Sequence, residues 1–421
     1  LPATPSTIIE LLSHQNFADM QLGHNPNFKF TVGRAIYKGI LQFINSQHGK
    51  DYVVQPLPVS NFAIHFGKKK NTLELTWKGE DDPLEPTARP REYMVYTRIG
   101  YGGFDNGTLV SKPYYSVKVE PGLVYSFKVP AVNRGGESFP SEILSAYKAK
   151  RERERILIIN GFDRISGPAV INTPDKAGFD LEQDPGVPYL SNISFCGAQS
   201  GFNRSQAGKE GEGSLGHSGR ELEGMEIAGN TFDYPFIHGK AIQAAGKYSF
   251  VSCSDEAVEN GIVTLEDILG LEKEDPIAKA YYKTFSSPMQ RLITSYCQSG
   301  GNLFVSGAYV GSDMSGTQGN REFTEKVLKY GYQNSLTDKR SGQINGLGRS
   351  ITIPRLPNEN SYAVTAPDCI VPVAPAFPVF TYARGNQSAG IAYKGADYRT
   401  FILGFPFESI QSETDRASIM A

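Results

Sequence analysis

Residues 296–314 read YCQSGGNLFVSGAYVGSDM, and this stretch decides the fold of the larger part of the chain. A helical pattern stops at Gly300 and Gly301. The apolar run Leu303-Phe304-Val305 then reads as a buried strand, and Gly307-Ala308-Tyr309-Val310-Gly311 follows as a G-x-Y-x-G turn. A glycine on each side tolerates the strained strand-to-helix turn that would present the central side chain. Helix, buried strand and sharp turn together form one unit of an α/β layered sheet.

Working outward, residues 155–421 repeat that alternation. ILIIN (156–160), YSFVSCS (248–254), NLFVSG (302–307), VFTYA (379–383), AGIAYKG (389–395) and FILGF (401–405) read as strands. IAKAYYKTFSSPMQRLITSYCQSG (277–300), NREFTEKVLKYGYQ (320–333) and the closing SETDRASIMA read as helices. Such alternation argues for parallel central strands. The stretch 162–246 is a long insertion rich in Gly, Ser and Asn, a length commonly tied to function.

Residues 56–148 show another period. TLELTWKG, REYMVYTRI, YYSVKVE and LVYSFKVPAVN alternate apolar and polar positions between Gly, Pro, Asp and Asn turns, the pattern of a β-sandwich. KAKRERER (148–155) is a charged connector. Residues 1–52 hold one short apolar run, TIIEL (7–11), expected to be a strand, and one helical pattern from Asn27 to Ser46. Asn25-Pro26-Asn27 supplies the turn and cap before that helix. One strand and one helix cannot bury their own apolar surface, so the segment must dock on a neighbour. The chain opens on Leu1 without a methionine and closes inside a helical pattern, so a longer parent is expected at both ends.

The bulk numbers exclude some partners. With 421 residues and a net charge of −2, the chain has no field that would draw nucleic acid or a membrane surface. No apolar run approaches the roughly 20 residues of a membrane span. Cys196, Cys253, Cys297 and Cys369 lack metal-binding spacing and read as free thiols, with one disulfide left open.

Three resemblances follow from these residues. Glu10, Asn16 and Asp19, followed by Arg34-Ala35-Ile36-Tyr37-Lys38-Gly39-Ile40, resemble the closing strand and helix of zinc-dependent N-acetylmuramoyl-L-alanine amidases, although Leu12-Ser13 stands where that family has Gly-Phe. The resemblance implies that Glu10 is the catalytic carboxylate beside a zinc-bound water. Zinc is expected only with a complete amidase domain, because the family's His, Glu and His ligands lie upstream of this segment. His14 and His24 read as solvated loop residues, and no metal is expected in this chain. Residues 56–148 resemble a fibronectin type III domain, with Trp77 as core tryptophan and Tyr125 as tyrosine corner. The 296–314 stretch resembles the nucleophile elbow of class I glutamine amidotransferase-like, flavodoxin-like domains.

Active relatives carry Cys at the elbow, with a His downstream. Here the centre is Tyr309, and all six histidines (14, 24, 48, 65, 217, 238) precede it, so the nucleophile chemistry is absent. A candidate ligand site is instead Asp163, after the first strand, with Asp233, His238 and Tyr309. Glu408 and Asp415 read as helix-capping groups, and GKEGEGSLGHSG (208–219) lacks the order of a phosphate loop. The module order resembles multidomain bacterial envelope proteins of the amidase or xanthan lyase type. It implies a secreted, periplasmic or cell-surface protein whose partner is a cell-wall glycan or extracellular polysaccharide. This chain is expected to be mostly binding and scaffold modules, inactive alone. The alternative is a polysaccharide lyase with its site in the α/β domain, where a Tyr/His pair serves β-elimination.

Overall fold

The computed structural model describes residues 6–421 except 175, 182–183, 200, 264–267, 273–283 and 339. Two helices come first, α1 (Phe17–His24) and α2 (Pro26–Gln47). The Asn25 side chain accepts from the amides of Asn27 and Phe28 and so caps α2, with Pro26 in the first turn. The TIIEL run forms no strand: residues 7–11 are exposed and pair with nothing among the described residues. An isolated strand leaves its backbone groups unpaired, and apolar content alone does not supply the missing partner.

The β-sandwich comprises β1 (Ser60–Phe66), β2 (Thr72–Lys78), β3 (Glu92–Ile99), β4 (Thr108–Val110), β5 (Tyr114–Lys118), β6 (Val124–Lys128), β7 (Ala131–Asn133), β8 (Gly136–Glu137) and β9 (Leu144–Tyr147). One sheet is β1-β2-β5; in the other, β3 pairs with β4, β6 and β7, β6 with β9, and β7 with β8, all antiparallel. Alternation decides the core. Leu73, Leu75 and Trp77 turn inward from β2 to meet Phe62 of one sheet and Tyr93, Val95 and Phe127 of the other. Trp77 packs edge-on against Tyr93 with centroids 5.4 Å apart. The Tyr125 hydroxyl accepts the amide of Glu120 at 3.0 Å, the tyrosine-corner contact.

The α/β part begins with β10 (Glu154–Asn160). The insertion contains two hairpins, β11 (Ala169–Asn172) with β12 (Ala177–Asp180), and β13 (Ser191–Ile193) with β14 (Glu226–Ala228). It ends not in loop but in a helix, α3 (Tyr234–Ala245), which is the crossover to β15 (Tyr248–Ser254). Then come α4 (Asp255–Glu259), β16 (Ile268–Glu272), α5 (Ser287–Gln298), β17 (Asn302–Ser306), α6 (Gln318–Phe323), β18 (Tyr330–Ser335), β19 (Gln343–Gly346), β20 (Arg349–Thr352), β21 (Asp368–Pro372), β22 (Phe377–Tyr382), β23 (Ser388–Lys394), β24 (Arg399–Leu403) and α7 (Glu413–Met420).

Five parallel strands lie in the order β15-β10-β16-β17-β24, which is 2-1-3-4-5 in chain order, the doubly wound arrangement. An antiparallel extension, β23-β22-β19-β20, continues past β24. Helices cover both faces. Leu157 and Ile159 of β10 join the core with Met289, Ile293 and Cys297 of α5, while Ile156 and Ile158 pack with Phe236 and Ile242 of α3. The edge strand β15 pairs with β1 through Cys253↔Ala63 and with β9 through Phe250↔Tyr147, so the sandwich is stitched to the α/β sheet by backbone hydrogen bonds.

Two helix expectations change. The 277–300 helix is seen from Ser287, with residues 277–283 outside the described set. The 320–333 pattern ends at Leu328, because Lys329 takes a left-handed conformation at φ 70° and Tyr330 enters β18 against β21. All four cysteines are free, three of them buried.

Candidate functional site

The carboxyl ends of the parallel strands carry the loops where doubly wound sheets bind ligands. Asp163 and Arg164 follow β10 there, and Tyr309 follows β17. Tyr309 is not presented to solvent as an elbow residue would be. It is 3% exposed and belongs to an apolar cluster with Phe162, Tyr234, Phe304 and Tyr362. Arg164 lies over its ring at 5.6 Å and donates to its hydroxyl at 3.5 Å, while an ion pair fixes Arg164 to Asp184 of the insertion. Asp163 is half-buried beside this pair. The sequence pattern singles out neither Arg164 nor Asp184, beyond the fact that Arg164 adjoins Asp163.

The turn that follows Tyr309 is clamped by a carboxylate on β21. Asp368 Oδ2 accepts from the amides of Gly311 and Ser312 at 2.8 and 2.7 Å and from the Ser312 hydroxyl at 3.1 Å, and Oδ1 accepts from Ser335 at 2.8 Å. Burial pushes the Asp368 carboxyl up to about 7, against the pull of these donors. Gly311 must be glycine here, because a Cβ would stand 2.9 Å from the Tyr332 ring and 3.2 Å from Asp368. The Tyr330 hydroxyl donates to the Val310 carbonyl at 2.6 Å. The G-x-Y-x-G turn is therefore a buried, hydrogen-bonded structural unit.

The other two candidates lie elsewhere. Asp233 precedes α3 and is gripped by Arg98 of the sandwich through bonds of 2.6 and 2.7 Å. Burial pushes its carboxyl up while Arg98 pulls it down. Its role is to fasten α3 to the sandwich, because a half-buried carboxylate takes the cation that packing brings nearest. His238, one turn into α3, points Nε2 at Glu408 Oε2, 3.5 Å away, beneath the Phe407 ring. Glu408 also accepts from the Tyr362 hydroxyl. Glu408 is thus a buried partner of His238 and Tyr362 rather than a cap, and Ser412, not Asp415, caps α7; Asp415 meets Arg349 at 3.4 Å.

Glu10 lies in an exposed segment without helix or strand. The residues that match its motif have local work: Asn16 accepts from the amides of Ala18 and Asp19 to cap α1, and Asp19 accepts from the Ser13 amide at 2.9 Å. Asn16 thus caps the helix, while Asp19 reaches back to the turn ahead of the cap rather than to the Asn16 amide of a capping box. No group of three metal-binding side chains gathers among the described residues. A zinc site needs about three protein ligands, so the residues here do not fit one. His24 is not solvated: it bonds Gln199 at 2.8 Å, packs edge-on against Phe179, and is held below its usual pKa chiefly by burial. Among the sandwich tyrosines, Tyr93 is in the core, Tyr96 bonds Glu137, and Tyr101 bonds Glu413.

No family model matches this chain, and no curated protein matches it. Solved structures match over about a fifth of it. A titin kinase with its flanking domains aligns at 20% identity, covering 22% of this chain and 16% of that one, with a TM-score of 0.20. A structure described as a myokine aligns at 15% identity over 22% and 98%, with a TM-score of 0.19. The FN5 domain of Drosophila Lar aligns at 19% identity over 22% and 96%, with a TM-score of 0.18. At such scores the likeness carries no argument, and the β-sandwich rests on its own strand pairing. No helix among the described residues is long and apolar enough to cross a membrane.

Proposed function

We propose that this chain is the binding and spacing portion of a secreted cell-envelope protein that handles peptidoglycan or an extracellular polysaccharide, and that it does not itself turn the glycan over. In this reading the α/β part is amidotransferase-like, the sandwich is a fibronectin type III module, and Glu10 with α1 and α2 is the remnant edge of an amidase whose zinc belongs to a complete domain.

One observation carries the reading: the position where such a sheet would present its nucleophile holds Tyr309, buried under Arg164 in an aromatic cluster. A phenol titrates near about 10 and is a poor nucleophile at neutral pH. The surrounding contacts hold the turn shut rather than opening it to a polymer.

Co-sedimentation with peptidoglycan sacculi and with an acidic exopolysaccharide, run beside a product-release assay, tests this. Retention on a glycan with no product is the expected result, unchanged by Tyr309→Phe. Turnover that disappears in Tyr309→Phe, or no retention on either glycan, overturns the reading.

A polysaccharide lyase remains the second reading, favoured by the Tyr362–Glu408–His238 contact, which places a phenol, a carboxylate and an imidazole together. Ultraviolet absorbance of an unsaturated product, lost on His238→Ala, would establish it in place of the first.

A further inference from the structure

The charge of this chain is unevenly spread. Its net value is −2, yet the hairpin turn 67–71 and the connector 148–155 together hold eight cations and two carboxylates. The turn, between β1 and β2, carries Lys68, Lys69 and Lys70, and the connector runs from β9 into β10. Distant in the chain, the two meet at one end of the sandwich. The Asn71 carbonyl accepts the Val119 amide at 2.8 Å, and the Gly122 amide donates to the Lys148 carbonyl at 2.8 Å, so the turn between β5 and β6 bridges them. Phe66, at the foot of the hairpin turn, lies under Lys148 Nζ at 5.2 Å and under the Arg155 guanidinium at 4.8 Å.

Glu152 accounts for two of the cations. It pairs with Lys148 and, at 2.9 Å, with Arg155. Burial pushes its carboxyl up, but bonds from Lys148, Ser249 and Arg155 bring it down to about 2. Lys68, Lys69, Lys70, Lys150, Arg151 and Arg153 remain, all exposed and without an ion pair among the described residues. Lys118 and Lys247 add two exposed cations, and Glu120 and Glu154 are the exposed carboxylates beside them. The Arg153 amide donates to the Lys247 carbonyl at 3.0 Å, which joins Lys247 to the group. Folding therefore crowds like charges, which repel unless an anion shares them.

Six exposed charges on a turn and a connector suit a chain of anions rather than one small anion, because each exposed pair is weak and only their sum is strong. Nucleic-acid strands stack on aromatic faces, and Phe66 is already taken by Lys148 and Arg155. Bilayers hold proteins by apolar side chains, and in these turns Leu123 alone exposes a large one. We propose that this end of the sandwich binds a linear acidic polysaccharide, whose successive carboxylates meet Lys68, Lys69 and Lys70 on the turn and Lys150, Arg151 and Arg153 on the connector. The inference rests on the reading of the chain as a glycan-handling protein and names the glycan class and the surface that takes it.

Isothermal titration of the full chain tests it, using polygalacturonate, the same polymer with its carboxyls reduced to alcohols, duplex DNA and phosphatidylglycerol vesicles. Two triple variants are compared, Lys68→Gln with Lys69→Gln and Lys70→Gln, and Lys150→Gln with Arg151→Gln and Arg153→Gln. The control is Lys112→Gln, exposed at the opposite end of β5. The reduced polymer is expected to bind at least about tenfold more weakly than polygalacturonate, and each triple variant to lose about tenfold, with Lys112→Gln unchanged. Affinity should also fall as salt shortens the screening length from about 30 Å at 0.01 M to about 8 Å at 0.15 M. Equal binding of the reduced polymer, full affinity in either triple variant folded by circular dichroism, an equal loss in Lys112→Gln, or tighter binding of DNA or vesicles overturns the proposal. Polygalacturonate left unbound while sacculi are retained defeats this surface alone, whereas no retention on any glycan defeats the glycan reading and this inference with it.

Discussion

Arg98 of β3 and Asp233, the residue ahead of α3, share two hydrogen bonds of 2.6 and 2.7 Å across the junction of the sandwich and the α/β sheet. Arg98 also lies over the Phe236 ring at 4.5 Å, so the guanidinium is held by a charge on one side and a π-face on another. Replacing Asp233 with Ala is expected to lower stability by about 2 kcal/mol in urea unfolding, because it strands a half-buried cation. A cycle with Arg98→Ala should show coupling of about 1 kcal/mol or more. Additive single effects would mean that the pair does not bind the two parts together.

Glu142 is the source of a pH dependence. Burial first, and then the charges of Glu256 and Asp255, push its carboxyl from 4.5 to about 8. Between those values the folded chain keeps a proton that the unfolded chain has lost, so stability falls as pH rises through that window and levels off above it. Glu142→Gln removes this part of the slope. Melting temperatures of the two proteins should converge near the acid end and separate above pH 8, with the variant higher. A variant that melts lower than the wild type at the alkaline end would contradict the assignment.

The tyrosine corner predicts a small, local loss. In Tyr125→Phe the Glu120 amide loses its acceptor at 3.0 Å. Equilibrium unfolding should register a cost of about 1 kcal/mol with no change in the m-value.

Two helical glycines should respond with opposite signs. At Gly239 on α3 a Cβ would stand 2.1 Å from the Phe250 ring, and at Gly33 on α2 it would meet nothing within 4 Å. Gly239→Ala is expected to cost about 1–3 kcal/mol through overpacking, and Gly33→Ala to add up to about 1 kcal/mol through helix propensity. Thermal unfolding of the two variants checks the contrast. A gain at Gly239 would show that α3 is not pressed on the sheet as described.

The local code was legible where one side chain's environment follows from its neighbours in the chain. The Asn25-Pro26 cap, the period of two in TLELTW, and the runs ILIIN and NLFVS each specify an element by spacing alone, and each is found. The Tyr125 corner is what the fibronectin type III resemblance implies, and its partner Glu120 lies five residues away. TIIEL had the apolar content of a strand, yet strand formation depends on a second strand that no local pattern announces.

What only the tertiary structure decided is which distant groups meet. Asp233 and Tyr309 look alike as candidates in the sequence, but Arg98 claims the first from 135 positions away and Arg164 the second from 145. Asp368, 57 residues from Gly311, turns an apparent elbow into a clamped core turn. Spacing along the chain governs hydrogen bonds within a turn or a helix. Charge pairing and desolvation depend on the three-dimensional neighbourhood, which is set when the sheet order brings β3, β10, β17 and β21 around the same interior.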